Sequence, residues 1–277
     1  MTVAELLRRG RERLCGQPAG DLEAEVLLAH ALGVARPWLY ANRDQAVAEE
    51  SEARCLDLLA RRANGEPVAY LTGTREFWSM PFRVKPGVLI PRHETELLVE
   101  TALRLIPSER ACRVADLGTG SGAVAIAVAS ERSLCEVHAT EIDPTALAVA
   151  RENGERLAPG RVRFHAGSWF EPLEGRFHLV LSNPPYIDAG DPHLEQDDCA
   201  FEPRAALSPG KDGMAAIRHI AKWAPNYLEP GGCLAFEHGY AQGPLARERL
   251  KELAYVNVET LKDLEGRDRV TLGFRAG

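Results

Sequence analysis

From Arg113 to Gly277 the sequence alternates between short apolar runs and longer amphipathic ones, and this alternation constrains the fold more than any other feature. Short apolar runs bounded by turn residues predict buried strands, and the amphipathic runs predict helices. Alternating strands and helices imply a largely parallel sheet covered on both faces, which is an α/β fold. The last two strands have no helix between them, so we expect a closing antiparallel hairpin. The predicted strands are 113–116, 135–141, 162–166, 177–182, 233–238, 255–261 and 269–275, and the predicted helices are 121–131, 144–157, 213–227 and 242–254.

The first 73 residues predict only helices. Asp21 is the predicted N-cap of a helix over 22–32, and Gly33 is its predicted end. Further helices are predicted over 52–63 and 67–71. Because this segment has neither a cluster of titratable residues nor a glycine-rich loop, we expect a small helical bundle that binds or positions a partner. The alternative is a bundle that only stabilises the rest of the chain.

A hairpin pattern separates the two segments. Residues 76–78 and 82–84 have strand character and flank Ser79-Met80-Pro81, which predicts a turn. A helix is predicted over Glu96–Leu105, with Thr95 as its cap. The sequence therefore predicts a helical domain over 1–73, a β-hairpin linker over 74–91 and an α/β domain over 92–277.

Composition and charge disfavour several classes of function. The chain has 277 residues and a net charge of −7, which argues against binding nucleic acid mainly by charge. No apolar run approaches the roughly 20 residues that a membrane span needs. The six cysteines are scattered without metal-ligand spacing, which is typical of thiols in a reducing compartment. We expect a cytoplasmic protein with no metal site and no contact with membranes.

The segment Asp116-Leu117-Gly118-Thr119-Gly120-Ser121-Gly122 follows the first strand of the α/β segment and opens a helix. Glycines there allow a ligand to approach the helix amino terminus closely. Glu141 ends the next strand, where a carboxylate can accept hydrogen bonds from both ribose hydroxyls. The glycine spacing is not that of a nicotinamide site, and the Asp116 carboxylate would repel a pyrophosphate but attract an ammonium. S-adenosylmethionine has a ribose and an ammonium but no phosphate, so it fits this charge pattern.

A second motif, Ser182-Asn183-Pro184-Pro185-Tyr186, ends the buried strand over 177–182. The prolines terminate the strand and stiffen the chain at a carboxyl edge, where open α/β sheets bind ligands. The side-chain oxygen of Asn183 and the carbonyl of Pro184 form an acceptor pair suited to an NH2 group, and Tyr186 adds an aromatic wall. Taken alone, the motif is equally compatible with an ordinary strand-ending turn.

In combination, these motifs resemble those of class I S-adenosylmethionine-dependent methyltransferases with an NPPY motif. Nearly the whole chain is similar to the release factor glutamine methyltransferases, the PrmC/HemK family. The resemblance implies a Rossmann-like, seven-stranded methyltransferase domain preceded by a small all-α domain and a short β-hairpin. The stretches that carry the resemblance are 87–92, 94–96, 116–122, Glu141, Trp169, 182–188, 201–203, 213–214, 237–239 and 269–273.

The resemblance implies methylation of the N5 nitrogen of a glutamine, within the Gly-Gly-Gln motif of peptide chain release factors. S-adenosylmethionine would be the methyl donor and S-adenosylhomocysteine the product. The release factor would be the partner, and no direct binding of nucleic acid is expected. A carboxamide nitrogen is a poor nucleophile, so we expect the protein to act mainly by orienting it toward an already activated methyl group.

The same resemblance implies the site residues. Asn183, Pro184 and Tyr186 are the predicted catalytic residues. The predicted cofactor-binding residues are Asp116, Gly118, Thr119, Gly120, Ser121, Gly122, Glu141, Ile142, Ser168, Trp169 and Asn183. The predicted substrate-binding residues are Asn183, Pro184, Pro185, Tyr186, Arg92, Phe201 and Glu202. The chain departs from the family at His93, where proline is usual, and at Ser168, where aspartate is usual.

Several alternatives stay open at the level of sequence. The same acceptor pair would serve an adenine-N6 methyltransferase on DNA or RNA, although the net charge and the acidic segment 187–212 weigh against it. A noncatalytic cofactor-binding or scaffold protein is another alternative. Arg92 is expected either to pair with Glu94 and Glu96 or to contact substrate. Trp169 is expected to stack on adenine rather than fill core, and His238 to be structural.

Overall fold

The computed structural model describes residues 1–17 and 19–277. The chain divides into two compact units, Met1–Thr74 and Arg75–Gly277. The first unit is helical, and the second is built on a mostly parallel sheet. None of the helices in the described ranges is long and apolar enough to cross a membrane.

Five helices are described in the first unit: α1 (Val3–Arg13), α2 (Gly20–Leu32), α3 (Arg36–Ala41), α4 (Glu49–Ala63) and α5 (Val68–Thr72). A capping box of Thr2 and Glu5 starts α1. Gly33, with a left-handed φ of 68°, ends α2. The core is made mainly of leucines from α1, α2 and α4, which include Leu6, Leu7, Leu27, Leu28 and Leu59.

Three details of the first unit differ from the prediction. Asp21 lies inside the first turn of α2, whose N-cap is Ala19. Asp21 is therefore not the cap, but its negative charge interacts favourably with the helix dipole at this end. The hydrophobic pattern of the sequence does not predict α3, because a helix of six residues is too short to show a helical period. α4 begins at Glu49, three residues earlier than predicted.

A two-stranded sheet follows, made of β1 (Thr74–Phe77) and β2 (Met80–Arg83). Its turn lies at Trp78 and Ser79, whose φ values of 52° and 55° are those of a two-residue hairpin turn. Met80 and Pro81, predicted as turn residues, therefore belong to β2. Phe77 and Phe82 pack edge to face with ring centroids 5.9 Å apart. The hairpin thus contributes two buried rings to the core of the second unit.

Seven strands form the main sheet: β3 (Arg113–Leu117), β4 (Glu136–Glu141), β5 (Val162–Ala166), β6 (Phe177–Ser182), β7 (Leu228–Glu237), β8 (Val256–Lys262) and β9 (Asp268–Phe274). Their order is β5-β4-β3-β6-β7-β9-β8. The five strands from β5 to β7 are parallel, and β9 is antiparallel to both β7 and β8. The parallel sheet and its closing antiparallel hairpin are confirmed.

The helices of the second unit are α6 (Glu96–Leu105), α7 (Ala123–Glu131), α8 (Pro144–Leu157), α9 (Arg204–Leu207), α10 (Ala215–Tyr227) and α11 (Gly243–Glu252). One hydrophobic core includes residues of α6 and α7, such as Val99 and Ile126. Another includes residues of α10 and α11, such as Ile217 and Leu250. Because β3 pairs with both β4 and β6, the winding direction reverses at β3, and this reversal opens a crevice at the carboxyl ends of the strands.

Candidate active site

The loop between β3 and α7 is tied to a buried carboxylate. Asp116 Oδ2 accepts hydrogen bonds from Thr119 Oγ1 at 2.6 Å and from Ala125 N at 3.2 Å. Gly118 has a φ of 68°, and a Cβ there would lie 3.2 Å from Cζ3 of Trp169. Glycine at this position therefore permits both the turn and the close packing of the indole over the loop.

Asp116 is 2% exposed. Burial is the main reason why the pKa of its carboxyl rises from 3.8 to about 6, and the negative charge of Glu141 adds to the rise. The hydrogen bonds from Thr119 and Ala125 oppose this shift. Asp116 lines a small cavity of about 40 Å³ together with Thr95. A cationic group in this space would relieve the cost of the buried charge, so the carboxylate fits the ammonium of S-adenosylmethionine.

Glu141, at the end of β4, is held by backbone donors. Its Oε1 accepts from Ile142 N and Asp143 N, both at 2.9 Å, and its Oε2 accepts from Gly120 N at 2.8 Å. A carboxylate has about four acceptor positions, so one remains on Oε2. In this arrangement Glu141 can accept from one ribose hydroxyl, whereas the sequence analysis expected it to accept from both.

The main cavity encloses about 230 Å³ at the carboxyl edge of the sheet. Its lining among the described residues includes two acidic side chains, Glu141 and Asp143, and no lysine or arginine. Because the charged side chains of this lining are acidic, the cavity suits a ligand with hydroxyls and a cationic group better than one with phosphates. The predicted residues that line the cavity are Gly118, Gly120, Glu141, Ile142, Ser168, Trp169, Asn183 and Pro185.

The smaller cavity contains most of the remaining predicted cofactor residues. Asp116, Thr119 and Ser121 line it, and it shares Gly118, Gly120 and Asn183 with the main cavity. Gly122 lines neither cavity and instead starts α7 with a φ of 86°. Asp116 and Asn183 thus both line the smaller cavity.

Several residues of the main cavity were not predicted from the sequence. They are small or apolar and lie in connecting segments, where they leave no periodic signal: Gly87, Leu89, Ala146, Gly167, Pro203, Ala205 and Ala206. Ala205 and Ala206 belong to α9, inside the acidic segment that the pattern predicts as irregular. Their contribution to the cavity follows from the return of this segment to the edge of the sheet.

Asn183 follows β6 directly, and its amide has a defined orientation. Its Nδ2 donates to Thr95 Oγ1 at 3.0 Å. Among the described residues its Oδ1 has no hydrogen-bond partner, and Asn183 lines both cavities. The preceding Ser182 donates from Oγ to Leu117 O at 2.8 Å and fixes the strand end. The arrangement leaves the acceptor side of the amide available to a ligand.

Tyr186 is fixed from two sides and lines neither cavity. Its hydroxyl donates to Glu237 Oε1 at 3.0 Å, and its backbone carbonyl accepts from Gln242 Nε2 at 2.9 Å. A Cβ at Gly213 would lie 2.5 Å from the same carbonyl oxygen, so only glycine permits this packing. Burial raises the pKa of Tyr186, which keeps its hydroxyl protonated.

Arg92 pairs with Glu202 and not with Glu94 or Glu96. Its guanidinium donates to both carboxylate oxygens of Glu202, at 3.0 Å to Oε1, and Ile90 N donates to the same Oε1 at 2.8 Å. The Glu202 side chain is fully buried, and burial raises its pKa while Arg92 opposes that rise. Neither Glu202 nor its neighbour Phe201 lines the two cavities.

His238 is buried, with Nδ1 2.9 Å from Gly239 O and Nε2 2.8 Å from Thr271 Oγ1. Both ring nitrogens are therefore used within the fold, which agrees with a structural role. Within residues 1–17 and 19–277, no group of three His, Cys, Asp or Glu side chains is placed to hold a metal ion.

Comparison with solved structures identifies the class. A crystal structure of a methyltransferase from Pyrococcus furiosus matches with a TM-score of 0.55 and 21% identity, over 80% of this chain and 99% of that one. A 16S rRNA N2 G1207 methyltransferase from T. thermophilus, solved with AdoMet and guanosine, matches with a TM-score of 0.53 and 21% identity. The match covers 73% of this chain and 49% of that one. These matches and the sheet order show that the second unit has the class I methyltransferase fold.

Comparison with sequences identifies the family. A model described as the PrmC N-terminal domain matches residues 5–73, and one described as a methyltransferase small domain matches 92–197. The release factor glutamine methyltransferase of Vibrio cholerae is 46% identical, over 99% of this chain and 96% of its own length. That of Escherichia coli (strain K12) is 44% identical, over 99% of each. The chain belongs to the release factor glutamine methyltransferase family, which confirms the predicted resemblance.

Proposed function

We propose that this chain transfers a methyl group from S-adenosylmethionine to the N5 nitrogen of a glutamine in a peptide chain release factor. The observation that carries the proposal is the orientation of Asn183. Its Nδ2 is bound to Thr95, which leaves Oδ1 without a partner among the described residues, and Asn183 and Asp116 both line the smaller cavity. The site therefore contains both an acceptor for an amide hydrogen, Asn183 Oδ1, and an acceptor for a cofactor ammonium, the Asp116 carboxylate.

S-adenosylmethionine is the cofactor, and when bound it supplies a methyl group already activated on a sulfonium. We assign its ammonium to Asp116 and one ribose hydroxyl to Glu141. The indole of Trp169, which packs over Gly118, is assigned to the adenine ring together with Ile142. Ser168 lines the same cavity and offers a hydroxyl oxygen to the adenine amine.

Asn183 Oδ1 and the Pro184 carbonyl accept the two hydrogens of the glutamine amide. Holding both hydrogens aims the nitrogen lone pair and removes most of the orientational freedom of the amide. The same two oxygens stabilise the positive charge that develops on the nitrogen. Pro185, which lines the main cavity, helps to exclude water from the amide. Tyr186 lines neither cavity, and we assign it to holding the chain after Pro185 through its bonds to Glu237 and Gln242. No general base is required, because the methylated nitrogen becomes acidic and loses its proton after transfer.

The target glutamine is that of the Gly-Gly-Gln motif, whose glycines add no side chains at a narrow entrance. We assign recognition of the rest of the release factor to the helical unit, which matches the PrmC N-terminal domain. Glu202 is bound by Arg92 and by Ile90 N, so we assign it to fixing the acidic segment. Arg92 also lines the smaller cavity with Asn183, where its guanidinium can contact the substrate as well. A partner of this kind supports a cytoplasmic location.

Methyl transfer from labelled S-adenosylmethionine to a purified release factor tests the proposal. Mass spectrometry should locate one methyl group on the Gly-Gly-Gln glutamine, and a release factor with alanine at that position should remain unmodified. Asn183→Ala should lower kcat by about 100-fold or more, because it removes an acceptor for the reacting amide. Its unfolding should resemble that of the wild-type protein.

Asn226→Ala is the matched control, because Asn226 is an exposed asparagine on α10. It should retain wild-type turnover. Wild-type turnover by Asn183→Ala would remove Asn183 from the mechanism. Duplex and single-stranded nucleic acid are incubated in parallel, and label on adenine instead of glutamine would overturn the assigned substrate.

A further inference from the structure

β7 ends in a carboxylate that accepts from Tyr186 and to which the mechanism above assigns no role. Glu237 is 1% exposed and is the last residue of β7. In the parallel register of β6 and β7, Ser182 lies opposite Phe236. Glu237 therefore follows at the same level as Asn183, directly beside the acceptor pair.

The two oxygens of Glu237 have different surroundings. Oε1 accepts from the Tyr186 hydroxyl at 3.0 Å, whereas Oε2 is buried and has no donor in hydrogen-bond geometry among the described residues. The Thr95 hydroxyl lies near enough to the carboxylate to lower its pKa, and the positive charge of Arg269 acts in the same direction. Glu94 repels it, and burial raises its pKa overall.

The direction of each hydrogen bond follows from the chemistry of these groups. An ionised carboxylate only accepts. The Tyr186 hydroxyl donates to Oε1, and the nearby Thr95 hydroxyl has the unpartnered Oε2 as an acceptor toward which its hydrogen can turn. Thr95 Oγ1 is then left as an acceptor, and Asn183 Nδ2 donates to it at 3.0 Å. Asn183 consequently presents Oδ1, and not its NH2 group, to the ligand space.

We propose that Glu237 is a positioning residue for methyl transfer: its buried carboxylate acts through the Thr95 hydroxyl to hold the Asn183 amide with Oδ1 toward the substrate. This inference rests on the proposed function and adds a residue that touches neither cofactor nor substrate. Glu237→Gln preserves the shape but introduces an NH2 group, which can donate to Thr95. Thr95 can then donate to Asn183 Oδ1 and reverse the amide, so that a donor faces the substrate.

The test is a double-mutant cycle on release-factor methylation. Glu237→Gln should lower kcat about 10-fold or more, with little change in the KM for the release factor or in cofactor affinity. In a Thr95→Val background, where no hydroxyl transmits the change, the same substitution should lower kcat less than about 2-fold. Thr95→Val alone should lower kcat, and the matched variant Thr95→Ser should restore it.

Each outcome decides between defined alternatives. A loss from Glu237→Gln that is equal in both backgrounds, or wild-type turnover in Glu237→Gln, would overturn the positioning role. If Glu237→Gln does not fold, the contrast between Thr95→Val and Thr95→Ser carries the test, and equal activity of these two variants would overturn it. No transfer by the wild-type chain to the release factor would refute the proposed function and this inference together.

Discussion

The Asp116 carboxylate destabilises the fold in its charged form, and its removal should therefore stabilise the protein. Burial raises its pKa from 3.8 to about 6 in the folded state. The folded state consequently binds a proton more tightly than the unfolded state does. The resulting stabilisation is fully present below pH 3.8 and is lost as the pH rises through about 6.

The size of the effect follows from the two pKa values. A difference of about two units corresponds to about 3 kcal/mol of unfolding free energy at pH 8, and to about half of that at pH 5. Asp116→Asn removes the charge, and the asparagine oxygen can still accept from Thr119 and Ala125. We therefore expect Asp116→Asn to be more stable than wild type by up to about 3 kcal/mol at pH 8, with a smaller gain at pH 5.

Urea unfolding monitored by tryptophan fluorescence at the two pH values measures this difference. Asp143→Asn is the control: Asp143 is an exposed N-cap of α8, and asparagine caps a helix equally well. It should change stability little at either pH. Asp116→Asn should also bind S-adenosylmethionine more weakly, because the ammonium loses its counter-charge. Equal or lower stability of Asp116→Asn at pH 8 would refute the reasoning.

Two further predictions concern packing around the site. Gly213→Ala adds a Cβ 2.5 Å from the Tyr186 carbonyl oxygen. The added methyl group should displace the segment around Tyr186 and lower kcat about 100-fold in steady-state methylation assays. Cofactor affinity, measured by equilibrium dialysis, should be unchanged. Glu202→Ala leaves the Arg92 guanidinium without its buried partner and should cost about 3–5 kcal/mol in urea unfolding. Glu195→Ala removes an exposed ion pair and should cost less than about 1 kcal/mol.

The strands and helices of the α/β segment were predictable because each is a local pattern. The predicted bounds lie within two residues of the observed ones except in β7, which begins at Leu228 and not at 233. The sequence Glu229-Pro230-Gly231-Gly232 is a strong turn signal, yet the structure accommodates it as an irregularity in the pairing of β6 with β7. Sheet register can thus override local propensity.

The residues of the site were predictable where a motif contains them, but their partners were not. Asn183 donates to a threonine 88 positions earlier, and Arg92 pairs with a glutamate 110 positions later. Thr95 was a reasonable N-cap candidate for α6, yet its side chain makes no capping hydrogen bond. Contacts at such separations depend on which strands become neighbours, and no local pattern specifies that order.

Three buried carboxylates at this edge of the sheet have pKa values raised mainly by burial: Asp116, Glu202 and Glu237. Glu202 has a bidentate arginine partner, whereas Asp116 and Glu237 have none and therefore lower stability relative to an uncharged side chain. Asp116 lines the space where we place the cationic cofactor. Glu237 ends β7 beside Asn183, the residue that we assign to the amide nitrogen that gains positive charge. Oriented negative groups there stabilise that charge without reorganising. The stability lost to these carboxylates is therefore best understood as a requirement of the reaction.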